Sequence, residues 1–143
     1  MRKLILAGLL ASVAFSASAQ NPASPIGKWQ TLDDDTNKPM TITEVYTAKN
    51  GTLAAKIVEN LGGPETCANC SGDYKGKPTV GMVTLWNLKA NKDGTWGGGS
   101  GYKPSKDTSF KAKTVRLTDG GKKLEVTGCK SVFCKTAVWV RVN

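Results

Sequence analysis

From residue 26 onward the apolar positions of the chain fall in short β-rich runs broken by Gly, Asn and Asp, and few stretches sustain a helical period of 3.6. Ile26 to Thr31 reads as a first strand, followed by a polar loop from Asp33 to Pro39. Thr41 to Thr47 and Thr52 to Glu59 form a hairpin across Lys49-Asn50-Gly51, where an Asn-Gly pair tolerates the positive φ of a tight turn. Leu53, Ala55 and Ile57 share one face of the second of these strands, and Lys56 points the other way. A Gly-, Pro- and Cys-rich loop runs from Leu61 to Pro78, and Val80 to Leu88 is the next strand. It turns at Asn91-Lys92-Asp93-Gly94 into Thr95-Trp96, and Gly97 to Asp107 reads as a further loop because of its glycines. Ser109 to Leu117 and Lys123 to Gly128 pair about Asp119-Gly120-Gly121, and Ala137 to Val142 closes the chain. In Lys123 to Thr127, Leu124 and Val126 alternate with polar residues.

This predicts an all-β fold of about eight or nine strands, with turn signals roughly every 8 to 12 residues, as in antiparallel sandwiches and barrels. A single up-and-down antiparallel β-barrel is the simplest arrangement, because closure removes the edges that an open meander would expose. Neither a linker nor an internal repeat divides the pattern, so residues 20–143 are expected to form one domain.

The first 19 residues follow a different logic. Arg2 and Lys3 precede an apolar run from Leu4 to Phe15, and Ala17-Ser18-Ala19 supplies the small residues of a cleavage site. This is the pattern of a secretory signal peptide cut after Ala19. The run is too short for a membrane span, which needs about 20 apolar residues. Removing it leaves 124 residues without a transmembrane segment, and the loss of Arg2 and Lys3 lowers the formal charge from +9 to +7. The expected location is periplasmic or secreted.

Composition then narrows the chemistry. With no His among 143 residues, the chain has no Ser-His-Asp or Cys-His pair, no histidine general base and no histidine metal site. The expectation is a protein that is not an enzyme and carries no cofactor. Asp33, Asp35, Asn37 and Glu44 fall at positions 1, 3, 5 and 12 of a calcium loop, but Lys38 stands where that loop needs Gly and Glu44 sits within a strand. A solvated turn is the better reading of Asp33 to Asp35. The lysines are scattered along alternating strand positions. A solvated surface is the better reading of them; the alternative is long-range attraction to anions, which outside the cytoplasm means anionic lipid, lipopolysaccharide or wall polymer rather than nucleic acid.

Four cysteines stand in Cys67-Ala68-Asn69-Cys70 and in Cys129 to Cys134. A zinc site would favour two Cys-x-x-Cys knuckles, and a redox pair would favour a helix N-terminus after the first Cys, whereas Gly62-Gly63-Pro64 and Ser71-Gly72 read as loop. Structural disulfides suit an exported chain better. Of the three pairings open to four cysteines, the local one is preferred, Cys67–Cys70 and Cys129–Cys134.

Taken in order, several short motifs form a series: Gly27-x-Trp29-x-Thr31, the Asp33-to-Lys38 loop, the Cys67/Cys70 loop leading to Lys77-Pro78-x-x-Gly81-Met82, and Trp96-x-Gly98-Gly99. It continues through Tyr102-x-Pro104, Leu124-x-Val126-x-Gly128-Cys129 and Trp139-x-Arg141-Val142. The series resembles the bacterial exported family called domain of unknown function 2147 over roughly residues 26–142. The chain departs from that pattern between Gly101 and Thr108, where Lys103-Pro104 and Lys106-Asp107 replace an Asp-Pro and a Gly-Lys-Thr-Tyr-like turn. The resemblance implies a small calycin-like barrel, similar to lipocalins and streptavidin, and brings no established activity. It also implies a closed barrel end plugged by Trp29 and covered by Arg141. With the resemblance added, the expected function is binding of a small apolar or amphipathic ligand in or at the mouth of the barrel. Tyr46, Met82, Trp86, Trp96 and Tyr102 are the candidate lining. The alternative is an envelope interaction module working through the basic surface.

Overall fold

A computed structural model of the chain describes residues 23–142; the signal-peptide reading of residues 1–19 lies outside the described residues. Eight strands follow in chain order: β1 (Gly27–Leu32), β2 (Pro39–Thr47), β3 (Leu53–Asn60), β4 (Val83–Ala90), β5 (Trp96–Lys103), β6 (Thr108–Thr118), β7 (Lys123–Lys130) and β8 (Phe133–Val142). Each pairs antiparallel with its sequence neighbour, and β1 pairs with β8, so the sheet closes into an up-and-down barrel. Closure runs through Lys28↔Val142, Trp29↔Arg141 and Gln30↔Val140.

The antiparallel order sorts the connections into two ends. The turns β2–β3, β4–β5 and β6–β7 lie with residues 23–26 and the last residues of β8 at one end. The connections β1–β2, β3–β4, β5–β6 and β7–β8 lie at the other. The first end is closed. Trp29, with no solvent exposure, packs with Val45, Leu53, Ala55, Leu88, Val115, Leu124 and Val126. Its indole N–H donates to the Pro25 carbonyl at 2.9 Å. Over its ring, 4.2 Å from the centroid, lies the guanidinium of Arg141, which also donates to the carbonyls of Gly121 (2.7 Å), Ser24 (2.6 Å) and Ile26 (3.3 Å). One residue thus covers the plug and ties down three backbone acceptors, an arrangement that only a planar, five-donor group can make. Trp139 is buried on the same face of β8, while Val138 and Val140 are exposed, which fixes the inward face of the closing strand.

One segment corrects the sequence reading. Gly97 to Asp107 is not a loop; Gly97 to Lys103 belong to β5, and only Pro104–Lys106 form a short 3-10 turn. Glycine here serves close packing. Gly97, Gly99 and Gly101 are buried, and a Cβ on Gly99 would collide with the Trp86 carbonyl and lie 3.0 Å from the Leu88 side chain. β4 likewise begins at Val83, later than Val80, because Gly81, at φ +93°, and Met82 bond the Ile57 backbone in an irregular step. β8 begins at Phe133 rather than Ala137, since β7 and β8 stay paired through Cys129↔Cys134 to Lys130↔Phe133.

Both disulfides join local partners, Cys67 to Cys70 and Cys129 to Cys134, with Cα separations of 5.3 and 4.0 Å. The first is buried in a small cluster outside the barrel wall, and the second staples the β7–β8 hairpin near its tip.

Candidate functional site

The open end holds a cavity of about 140 Å³. Its apolar wall comes from Met40, Ile57, Leu85, Phe110, Ala137 and Trp139. Leu85 and Trp139 also belong to the packed core, so they form the boundary between the filled half of the barrel and the open half. The volume is comparable to cavities of about 150 Å³ that take up a benzene-sized guest.

One side of this wall is polar. Thr31, Thr41 and Thr43 all line it, and their hydroxyls form a chain: Thr31 to Thr41 at 2.6 Å, Thr41 to Thr43 at 3.1 Å. A bulge between Ile42 and Thr43 shifts the register of β2 against β3 at this point. Three hydroxyls linked in a row engage each other through two protons and keep unshared lone pairs for a guest. The cavity therefore offers an apolar wall facing a hydrogen-bonding stripe.

The rim is charged. Asp34 accepts from Lys103, and Lys135 lies 3.6 Å from the same carboxylate oxygen. Burial works to raise the Asp34 pKa, but the hydrogen bonds and charges of Lys103 and Lys135 outweigh it and hold the carboxylate below its usual range. Asp35 pairs with Lys106 at 2.6 Å. Asp33 does no rim work: its Oδ1 accepts from Asp35 N, Thr36 N and the Thr36 hydroxyl, which builds the solvated turn. Lys103 and Lys106, the residues that depart from the family pattern, are thus the partners of the Asp34-Asp35 pair.

The long β3–β4 connection folds over the barrel wall beside this mouth. Asn60 anchors its start, donating to the carbonyls of Gly63 and Pro64, and the Thr79 hydroxyl donates to Pro64 at 2.7 Å near its end. Between them Cys67, Cys70, Met82 and Tyr102 form a second buried cluster, with Tyr74 stacked on Tyr102 at 4.0 Å between centroids. Both disulfide sulfurs touch the Pro104 carbonyl oxygen, at 3.8 and 3.6 Å. Tyr102 donates to Asp107 at 2.6 Å, and the same oxygen accepts the backbone N–H and hydroxyl of Ser71 at 3.1 Å each.

Burial, then the hydrogen bond and charge of Asp107, push the Tyr102 phenol up to about 12. A raised phenol pKa means that the neutral form is the one the fold stabilises. That contribution is complete below pH ~10, where the unfolded phenol is also neutral, and is lost as pH rises through about 12. The near-ultraviolet tyrosinate absorbance of the native protein minus that of Tyr102→Phe should show a step with its midpoint near 12; a step near 10 would contradict the packing described.

The five lining candidates separate on the structure. Of them, Tyr102 alone borders the mouth cavity. Met82 and Trp86 join it in the Cys67–Cys70 cluster and line a groove on the outer wall with Tyr74 and Pro78. Tyr46 lies on the outer face of β2, with the Lys56 ammonium 5.0 Å from its ring centroid, and Trp96 packs half-buried against the main core. Met82, Trp86, Tyr46 and Trp96 are therefore corrected as cavity-lining residues: Tyr46 and Trp86 face outward on their strands, Met82 lies in the irregular step before β4, and Trp96, opposite Val115, packs at the closed end. In β4 the inward positions are taken by Leu85 and Leu88, which turns Trp86 outward; in β5 they are taken by glycines, which turns Tyr102 outward. The lining that sequence reasoning passed over is Trp139, Phe110, Leu85 and the three threonines. The signal for the threonines was the alternation Thr41-x-Thr43-x-Val45, which marks one face of β2 without saying that it points inward.

The closed eight-stranded topology and the open mouth place the chain among known proteins. The family model described as an uncharacterised protein conserved in bacteria, domain of unknown function 2147, matches residues 27–141. The chain belongs to this family. Among solved structures, a Helicobacter pylori protein described as belonging to the lipocalin family is similar, with a TM-score of 0.70 and 20% identity over 84% of each chain. That likeness is one of fold: this chain has a lipocalin-like barrel. Among curated proteins, none matches the chain.

Proposed function

We propose that this member of the family is a non-enzymatic, exported binding protein that takes a small amphipathic ligand into the mouth of its barrel. The observation that carries the reading is the half-filled interior. An apolar cavity of about 140 Å³ sits above a packed core, with a hydroxyl stripe on one wall and a Lys103–Asp34–Lys135 rim above. This suits a guest with a short hydrocarbon or single-ring body and a polar end. Two disulfides in a domain of this size favour an oxidising compartment, periplasmic or secreted.

Burial at about 0.8 kcal/mol per CH₂ gives a six-carbon chain roughly 5 kcal/mol before the costs of binding, hence a Kd on the order of 1 mM. Titration with n-hexanol and with hexanoate, followed by the chemical shifts of Ala137 and Ile57, should saturate in that range. Ala137→Phe, which places a ring in the cavity, should weaken both at least about tenfold, as one filled apolar pocket implies. If the native protein shows no saturable shift with either compound, the interior-ligand reading is wrong. Where both compounds saturate, native mass spectrometry of protein purified from its own compartment would identify the natural guest.

A further inference from the structure

The two most exposed large apolar side chains of the described residues are neighbours. Val132 is 83% and Phe133 79% exposed, while the other exposed large apolar residues reach no more than 48%. They form the tip of the β7–β8 hairpin, a two-residue turn in which Ser131 adopts φ +57°. Two adjacent residues standing this far into water do nothing for the core, and paired exposure of this kind marks a contact surface. The tip is also held in shape: Cys129 and Cys134 are bonded directly below it.

Its surroundings are basic. Val132 shares a shallow depression on the barrel wall with Lys111, Lys113, Ser131 and the disulfide, and Lys130 precedes the turn. Among the described residues none of these three lysines has an acidic group within ion-pair distance, whereas Lys103, Lys106 and Lys135 are engaged on the rim. An apolar tip beside unneutralised lysines is complementary to a surface that is anionic at its face and hydrocarbon beneath. The rest of the outer wall is unsuited to immersion in lipid, since Glu44, Lys56, Arg116 and Glu125 stand on it. Contact is thereby confined to the tip.

We infer that the β7–β8 tip docks this protein on an anionic phospholipid bilayer, with Val132 and Phe133 entering the interface and Lys111, Lys113 and Lys130 meeting headgroup phosphates. The β7–β8 connection is at the same end of the barrel as the open mouth, so docking turns the cavity toward the membrane. The inference stands apart from the cavity reading, since it rests on the outside of the hairpin alone.

The experiment is co-sedimentation of the processed protein with vesicles of phosphatidylcholine alone or with one third phosphatidylglycerol. At about 1 kcal/mol per lysine near an anionic surface, three lysines should favour the phosphatidylglycerol vesicles by about 100-fold at low salt, and the preference should collapse as salt is raised. Val132→Ser combined with Phe133→Ser should lower binding at least about tenfold. Lys111→Glu with Lys130→Glu should abolish the lipid preference. Because all four side chains are exposed, these variants should keep the native melting temperature. Ala137→Phe should bind vesicles like the native protein, so failure of the docking surface and failure of the ligand cavity are read separately. Two results overturn the inference: tip variants that bind as well as the native chain, or a native chain that ignores phosphatidylglycerol and instead self-associates through Val132 and Phe133 in sedimentation equilibrium.

Discussion

Trp29→Ala is expected to lower the unfolding free energy by about 3–5 kcal/mol, the range found when a fully buried large aromatic is truncated. The residue has no exposure, lies at the closed end against Val45, Leu124 and Val126, and spends its one donor on the Pro25 carbonyl. Truncation loses the buried area and leaves a cavity that the barrel cannot collapse to fill, because hydrogen-bonded strands hold its circumference. Arg141→Ala should cost less, since the core beneath survives, but it strands the carbonyls of Gly121 and Ser24 and removes the cation from the indole face. The two residues touch, so their costs should not add. A double-mutant cycle by urea unfolding should return a coupling of about 0.5–2 kcal/mol, the range for a cation over an indole. A Trp29→Ala cost below about 1 kcal/mol would mean that the closed end carries little of the stability.

The contrast between the two ends explains what the sequence makes legible. Hairpin turns at Asn50-Gly51, Asn91 to Gly94 and Asp119 to Gly121 carry their chemistry locally, so the strands flanking them can be read in order. The two local disulfides also lie within short sequence windows. The cavity does not. Whether Thr41 and Thr43 face solvent or interior depends on where β1 meets β8, a contact more than a hundred residues apart in the chain. Period-2 alternation defines two faces and leaves their assignment to closure. The bulges at Ile42/Thr43 and Ala112/Thr114 then shift the pairing again, which no alternation rule anticipates. The aromatics mislead for a related reason. Trp86 and Tyr102 are large enough to seem interior, yet they face outward, and the β3–β4 connection covers the outer wall there. The hidden strand β5 belongs to the same account. Its glycines resemble loop residues because the side chains that fill its share of the interior come from its neighbours.

That last point yields the second large effect. Gly99→Ala and Gly101→Ala should both destabilise the barrel, by about 1–3 kcal/mol or more as expected for overpacking, but for different reasons and with different remedies. At Gly99 a new methyl meets the Trp86 carbonyl of β4 well inside van der Waals contact, and backbone in a closed sheet has nowhere to go. At Gly101 it meets the ring of Phe110, the cross-strand partner on β6, with Leu85 2.9 Å away. The same ring covers Gly128 of β7, where a Cβ would lie 2.6 Å from Phe110 Cδ2. Phe110 therefore reaches across both neighbouring strands and occupies space that side chains on β5 and β7 would otherwise fill, forming part of the cavity wall as it does so. Shortening that ring should make room at Gly101 and not at Gly99. Phe110→Leu is expected to recover much of the cost of Gly101→Ala while adding to that of Gly99→Ala, with unfolding midpoints in urea as the measurement. It should also change n-hexanol binding, because the same substitution reshapes the wall. Equal responses of the two glycine variants to Phe110→Leu would show that the ring is not what requires glycine at position 101.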